Sequence, residues 1–272
     1  MTILQAIILG FVQGITEFLP ISSSGHLILM RDLLGLQTEG SLAFDAVLQL
    51  ATTLAVILYF SEDIWLLTQT ALRKLGRLPV NGKDQTLLYA LLIGTIPAVI
   101  AGVLLEKYMD TIFRSSVIVA VVLTLGSFLF IYAEWFYYGS VPQNNLTRMT
   151  GFKIGLFQCL ALVPGMSRSG STISGGMLLG LSRGEAARFS FLLSIPILLG
   201  SGAKKLIELI HPHPGVADVS LVSIAVGSVV AFVVGLAAIH FLLTFIRRHT
   251  LWPFIWYRLL LAAFVFYIYF LA

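Results

Sequence analysis

The sequence predicts an all-α polytopic membrane protein, with six transmembrane helices and two re-entrant helix–loop–helix hairpins in an inverted-topology repeat. Three observations predict it. Of 272 residues, 58% are hydrophobic and 11% charged, and the mean hydropathy is +0.94; a soluble domain carries about 25% charged residues. Six apolar segments approach or exceed the roughly 20 residues needed to cross about 30 Å of hydrocarbon. Two further apolar segments are broken midway by serine, glycine and proline, and they match each other at a fixed offset.

The first broken element is 3–36. Its apolar run contains Gln5, Gln13 and Glu17 and meets Pro20 and a serine cluster before a short return segment. Neither half is long enough to span, so a helix, a polar turn and a return helix form a re-entrant hairpin. Such backbone survives at depth only inside protein or beside a cavity. Glu17 and Pro20 stand where a cleavage site would need small residues, so no removable signal peptide is expected.

Span one is 42–60, with Asp45 and Gln49 on one inward-looking face. Residues 61–86 hold Arg73, Lys74, Arg77 and Lys83 among leucines and read as an amphipathic connector at the membrane surface. Spans two and three are 87–105, kinked at Pro97, and 113–136, ending in the aromatic edge of Trp135, Tyr137 and Tyr138. A polar link leads to the second broken element, 151–181. Spans four, five and six are 185–203, with Pro196 inside it, 219–243 and 251–271.

With 61–86 on the cytoplasmic side, Arg148, Lys153, Arg247 and Arg248 also fall inside, in keeping with the positive-inside rule. Lys107, Arg114, Lys204 and Lys205 fall outside, and both termini face outward. The net charge of +4 therefore sets orientation, and no nucleic-acid partner is expected. Cys159 is the only cysteine, which excludes an internal disulfide or a thiolate metal site.

A shift of 145 residues lays Gly10 on Gly155, Gln13 on Gln158, Ser22 on Ser167, Ser24 on Ser169, Gly25 on Gly170 and Phe44 on Phe189. The chain thus divides into repeat one, 1–136, and repeat two, 150–272. Each is a broken hairpin followed by three spans, and an odd span count inverts the second repeat. The two differ where chemistry needs them to: Glu17 meets Leu162, Ser23 meets Arg168, and His26 meets Ser171.

These polar residues define a candidate site for a phosphate-like anion. Glu17 lies one helical turn after Gln13; it is a general base or, with Gln13, a ligand for Mg²⁺ or Ca²⁺. His26 suits proton transfer or attack on phosphorus. Ser23, activated by His26 or Glu17, is the competing nucleophile, and Ser22 completes the turn. Arg168 clamps phosphoryl oxygens, with Ser167, Ser169, Ser171 and Thr172 as hydroxyl donors. His211 and His213 lack acidic company and read as loop residues, while Arg183, Glu185 and Arg188 read as a structural helix start.

Gln13-xxx-Glu17, the SSSGH run ending at His26, and PGMSRSGST from Pro164 to Thr172 resemble the undecaprenyl-diphosphatase family, also called bacitracin-resistance proteins. The resemblance covers nearly the whole chain. It implies a metal-dependent bacterial inner-membrane enzyme that hydrolyses undecaprenyl diphosphate to undecaprenyl phosphate and inorganic phosphate. That activity recycles the lipid carrier for peptidoglycan and withdraws the target of bacitracin. It further implies a site open to the outer side, membrane lipids and a prenyl diphosphate as partners, and a homodimer. Catalytic roles carry over to Glu17, Ser23, His26 and Arg168, with Ser167 and Thr172 beside them. Gln13 occupies a position that is Glu or Gln in the family, and the amide here weakens a two-carboxylate metal set. The rival reading is a transporter or flippase of a lipid phosphate or anion, since broken helices in inverted repeats also serve transport.

Overall fold

A computed structural model describes residues 1–36, 41–111, 115–210 and 220–271. Arg114, His211 and His213 lie outside them, as do the side chains of Glu106, Lys107, Asp110 and Lys205. The described residues form eleven helices: α1 Ile3–Phe18, α2 Ser23–Leu34, α3 Ser41–Tyr59, α4 Ser61–Leu75, α5 Gly82–Thr111, α6 Ser116–Tyr138, α7 Arg148–Leu160, α8 Arg168–Leu178, α9 Arg183–Ile210, α10 Leu221–Ile246 and α11 Trp252–Leu271.

Five of them contain segments long and apolar enough to cross a membrane: Gly82–Leu105, Ser116–Tyr138, Arg183–Lys204, Leu221–Ile246 and Trp252–Phe270. The all-α polytopic membrane fold is therefore present. The expected first span differs in one respect. Phe44–Tyr59 is followed, after a single residue, by Ser61–Leu75 at a bend of 79°. The connector is thus a continuing helix, with Glu62 and Asp63 in its first turn and Arg73 and Lys74 in its last. Those charges complement the helix dipole at both ends.

The two broken elements break where their sequences dictate. α1 starts in a capping box between Thr2 and Gln5 and stops at Phe18. Pro20 has no N–H to continue it and pushes Leu19 into extended backbone. α2 begins after Ser22 and ends at Gly35, whose φ of 63° supplies the left-handed cap. α7 stops at Leu160 and α8 begins after Ser167. Ser22 and Ser167 both hold positive φ, 78° and 74°, which costs a non-glycine residue about 1–3 kcal/mol. Each offsets this with its side chain, which accepts the N–H of Gly25 and of Gly170 respectively.

Packing crosses between the halves of the chain. α1 lies along α10, and α7 lies along α5; α3 packs on α9 and α6 on α11. The α1–α10 and α7–α5 contacts are glycine contacts. A Cβ on Gly10 would overlap the carbonyl of Gly227, and one on Gly155 would overlap that of Gly94. Small residues spaced four apart let membrane helices approach closely enough for backbone contact. The main core joins Phe18, Phe130, Ile173, Phe191 and Ile239, all fully buried or nearly so. It closes around the junction of the two broken elements.

Candidate active site

Three separate stretches of chain meet at Glu17, which is 5% exposed. A buried carboxylate requires compensation, and Glu17 has it on both oxygens. Arg168 Nη2 donates to Oε1 at 2.7 Å. Ser23 Oγ donates to Oε2 at 2.7 Å, and Gln13 Nε2 donates to the same oxygen at 3.0 Å. Gln13 also reaches Thr52 Oγ1 on α3 at 3.4 Å. The Glu17–Arg168 pair is 3% and 10% exposed on its side chains, so low dielectric strengthens the attraction.

The two turns also lock together directly. Ser22 Oγ accepts the N–H of Gly165 at 3.1 Å, and Ser169 Oγ donates to the Leu19 carbonyl at 3.1 Å. A cavity of about 820 Å³ opens at this junction. Gln13, Glu17, Ser22, Ser23, Ser24, Ser167 and Arg168 all line it. The N-terminal ends of α2 and α8 therefore both border one cavity. Helix N-termini carry unsatisfied N–H groups and partial positive charge, which suits an anion. Arg168 Nη1 is buried there without a partner, a donor left available to a ligand.

Not every expected residue reaches the cavity. His26 does not line it: its Nδ1 lies 2.7 Å from the Ser22 carbonyl oxygen, and its Nε2 lies 2.7 Å from the Tyr257 hydroxyl on α11. Thr172 hydrogen-bonds to the Arg168 carbonyl at 2.8 Å and contacts Ser190 Oγ at 2.5 Å. Ser169 is occupied by Leu19. Their geometry supports the turns. Arg183 pairs with Glu134, and Arg188 with Asp63, so this helix start is structural as expected.

The structure adds residues. Arg31 of α2 and Asp45 of α3 pair at the cavity wall, near Gln49; Thr52 extends the inward face expected of Asp45 and Gln49 on α3. Gln158 also lines the cavity. Arg258, on α11, is fully buried. It donates to Ser127 Oγ at 3.1 Å and to the Leu123 and Gly165 carbonyls at 3.0 Å each, with its guanidinium over the Phe130 ring. It thus braces the loop that delivers Arg168. A lone arginine in an apolar span was the available signal for it.

Fold and site together define a multi-pass membrane protein with an anion-receptive polar cavity where two helix–turn–helix pairs meet. The sequence profile described as "Bacitracin resistance protein BacA" matches residues 6–264, and the chain belongs to that family. It is 41% identical over 273 residues to an undecaprenyl-diphosphatase of Chloroherpeton thalassium, covering 97% of this chain and 96% of the relative. It is 43% identical over 261 residues to an undecaprenyl-diphosphatase of Trichlorobacter lovleyi, covering 95% and 94%. With that of Micrococcus luteus it shares 40% over 267 residues, covering 98% and 96%.

Proposed function

We propose that this chain is a membrane phosphatase that hydrolyses undecaprenyl diphosphate to undecaprenyl phosphate and inorganic phosphate in the bacterial cytoplasmic membrane. It thereby recycles the lipid carrier for peptidoglycan and confers bacitracin resistance. Full-length similarity to undecaprenyl-diphosphatases supports the substrate. The observation that carries the chemistry is the chain of contacts from Ser23 through Glu17 to Arg168 on one cavity wall.

In this reading Arg168 turns its free Nη1 to the terminal phosphoryl group and holds the charge that develops there. Glu17 accepts the Ser23 proton as Ser23 Oγ bonds to the terminal phosphorus. The bond from that phosphorus to the bridging oxygen breaks, and its electron pair leaves with the lipid monophosphate. Glu17 passes its proton to the departing lipid monophosphate; it then takes a proton from the water that attacks the phosphoseryl phosphorus and returns it to Ser23 Oγ as that P–O bond breaks. His26 acts through the Ser22 carbonyl and Tyr257, holding the turn that presents Ser23.

Glu17 and Gln13 are the residues that would hold Mg²⁺ or Ca²⁺. Among the described residues no group of three or more His, Cys, Asp or Glu is placed for a metal. Gln13 presents Nε2 to Glu17 in this structure; with the amide turned over, one carboxylate and one amide oxygen would fit an ion whose remaining ligands are phosphate oxygens and water, as is usual for Mg²⁺. A bound ion would offset charge on the diphosphate.

The reading includes six spans and two re-entrant hairpins, 3–36 and 151–181, in inverted repeats 1–136 and 150–272. The exchange of α1 onto α10 and α7 onto α5 supports it. It also includes a cavity mouth on the outer face and a homodimer. Release of phosphate from a prenyl diphosphate by purified protein in detergent, where no gradient exists, tests the enzyme against a transporter. Absence of release under those conditions would overturn it.

A further inference from the structure

Gln158 is 2% exposed, lines the cavity, and has no hydrogen-bond partner on either Nε2 or Oε1. A buried amide left unmatched at both ends destabilises a fold. The internal offset shows why it is unmatched. Gln158 corresponds to Gln13, whose amide is met by Glu17 and Thr52. At the same offset those two partners become Leu162 and Ile197, both apolar and both on the cavity wall. The second half has kept the amide and replaced both of its intramolecular partners.

We infer that Gln158 is a substrate-binding residue for the lipid-proximal phosphate. The inference rests on the phosphatase reading above. The cavity lining combines two chemistries: the polar Glu17, Ser23 and Arg168, and the apolar Leu162, Ile197 and Leu198. A prenyl diphosphate presents the same division, with its terminal phosphate wholly polar and its inner phosphate joined to hydrocarbon. Gln158 is a neutral amide, and the positions that answer to Gln13's polar partners are the apolar Leu162 and Ile197, so it meets the inner phosphate. Nε2 donates to a non-bridging oxygen, and Oε1 accepts from the P–O–H of the singly protonated monophosphate that remains after hydrolysis. A carboxylate there would repel that anion; an amide matches its donor and acceptor together.

The test uses purified full-length protein in detergent with Gln158→Met and Gln158→Leu, and farnesyl monophosphate and inorganic phosphate as probes. Both variants should weaken inhibition by farnesyl monophosphate at least about 10-fold and leave inhibition by inorganic phosphate unchanged. The thermal shift induced by farnesyl monophosphate should shrink, while the ligand-free melting temperature holds or rises because an unmatched amide has been removed. Equal weakening of both inhibitors, unchanged inhibition by farnesyl monophosphate, or a lowered ligand-free melting temperature would overturn the assignment. Failure of the unsubstituted protein to hydrolyse prenyl diphosphate would instead overturn the phosphatase reading. The thermal shift reads Gln158 without turnover.

Discussion

Ser22 Oγ accepts the backbone N–H of Gly165 at 3.1 Å, across 143 positions of sequence. This bond ties the turn that presents Ser23 to the loop that delivers Arg168. Ser22→Ala would remove it together with the Gly25 cap while leaving φ at 78°. Two lost hydrogen bonds cost about 1–3 kcal/mol. Ser22→Gly loses the same bonds but relieves the backbone, so it should melt above Ser22→Ala. Thermal unfolding of both variants in detergent checks the order, and an inverted order refutes the strain argument.

The Glu17–Arg168 pair makes a stability prediction distinct from activity. Arg168→Met leaves a buried carboxylate without its cation, a loss of about 3–5 kcal/mol, and activity should fall by about 10³-fold or more. Adding Glu17→Gln should restore most of the stability and none of the activity. Melting curves and phosphate release on the single and double variants measure both. Recovery of turnover in the double variant would remove Glu17 and Arg168 from the reaction.

If Ser23 is the nucleophile, rapid acid quenching of a reaction with terminally labelled prenyl diphosphate should trap label on the protein, and Ser23→Ala should trap none. Label trapped on His26 in a parallel alkaline quench, which preserves the acid-labile P–N bond, would reassign the attack. His26 does not border the cavity, so Tyr257→Phe, which frees one ring nitrogen, should alter activity by less than about 10-fold.

Arg258→Leu should be among the more destabilising single changes in α11. It leaves the Gly165 carbonyl without its donor and removes one of two bonds from the Leu123 carbonyl and from the Ser127 hydroxyl, which still bond to each other. Each unmatched buried group costs about 1–3 kcal/mol. Arg258→Lys should recover part of this, because one ammonium cannot reproduce the guanidinium's spread of contacts. Melting temperatures report the ranking, and a fully stable Arg258→Leu would show that the brace is dispensable.

Much of this architecture was legible in the chain. Hydropathy and span length announced the membrane class. Pro20 and the SSSG run marked the break after α1, and Pro164 with Gly165 marked its counterpart. The offset that pairs Ser22 with Ser167 foresaw two turns with matching backbone. That Glu17 and Arg168 belong to one site was legible, because charges in apolar surroundings need partners; that they bond directly, and do not face each other across a ligand, was not. Where the site ends was not legible. His26 and Ser23 are three residues apart on one helix, yet only Ser23 borders the cavity; side-chain direction decides this, and spacing does not. The role of Thr52 and the brace from Arg258 depend on which helices become neighbours, a tertiary fact that periodicity does not encode. The 79° turn at Phe60 was missed for a related reason. No proline or glycine marks it, and the amphipathic pattern of 61–75 reads equally well as a surface segment detached from the span before it.

The seating of α1 on α10 bears on how the chain is made. α1 finds its glycine-lined seat only after residues 221–246 have been synthesised. Glu17 likewise has no Arg168 to answer it until α8 has been synthesised. The seat of α1 is therefore completed late, first by α8 and then by α10. A chain truncated before α10 should accordingly be recognised by quality control as unfinished, however well its other helices have inserted.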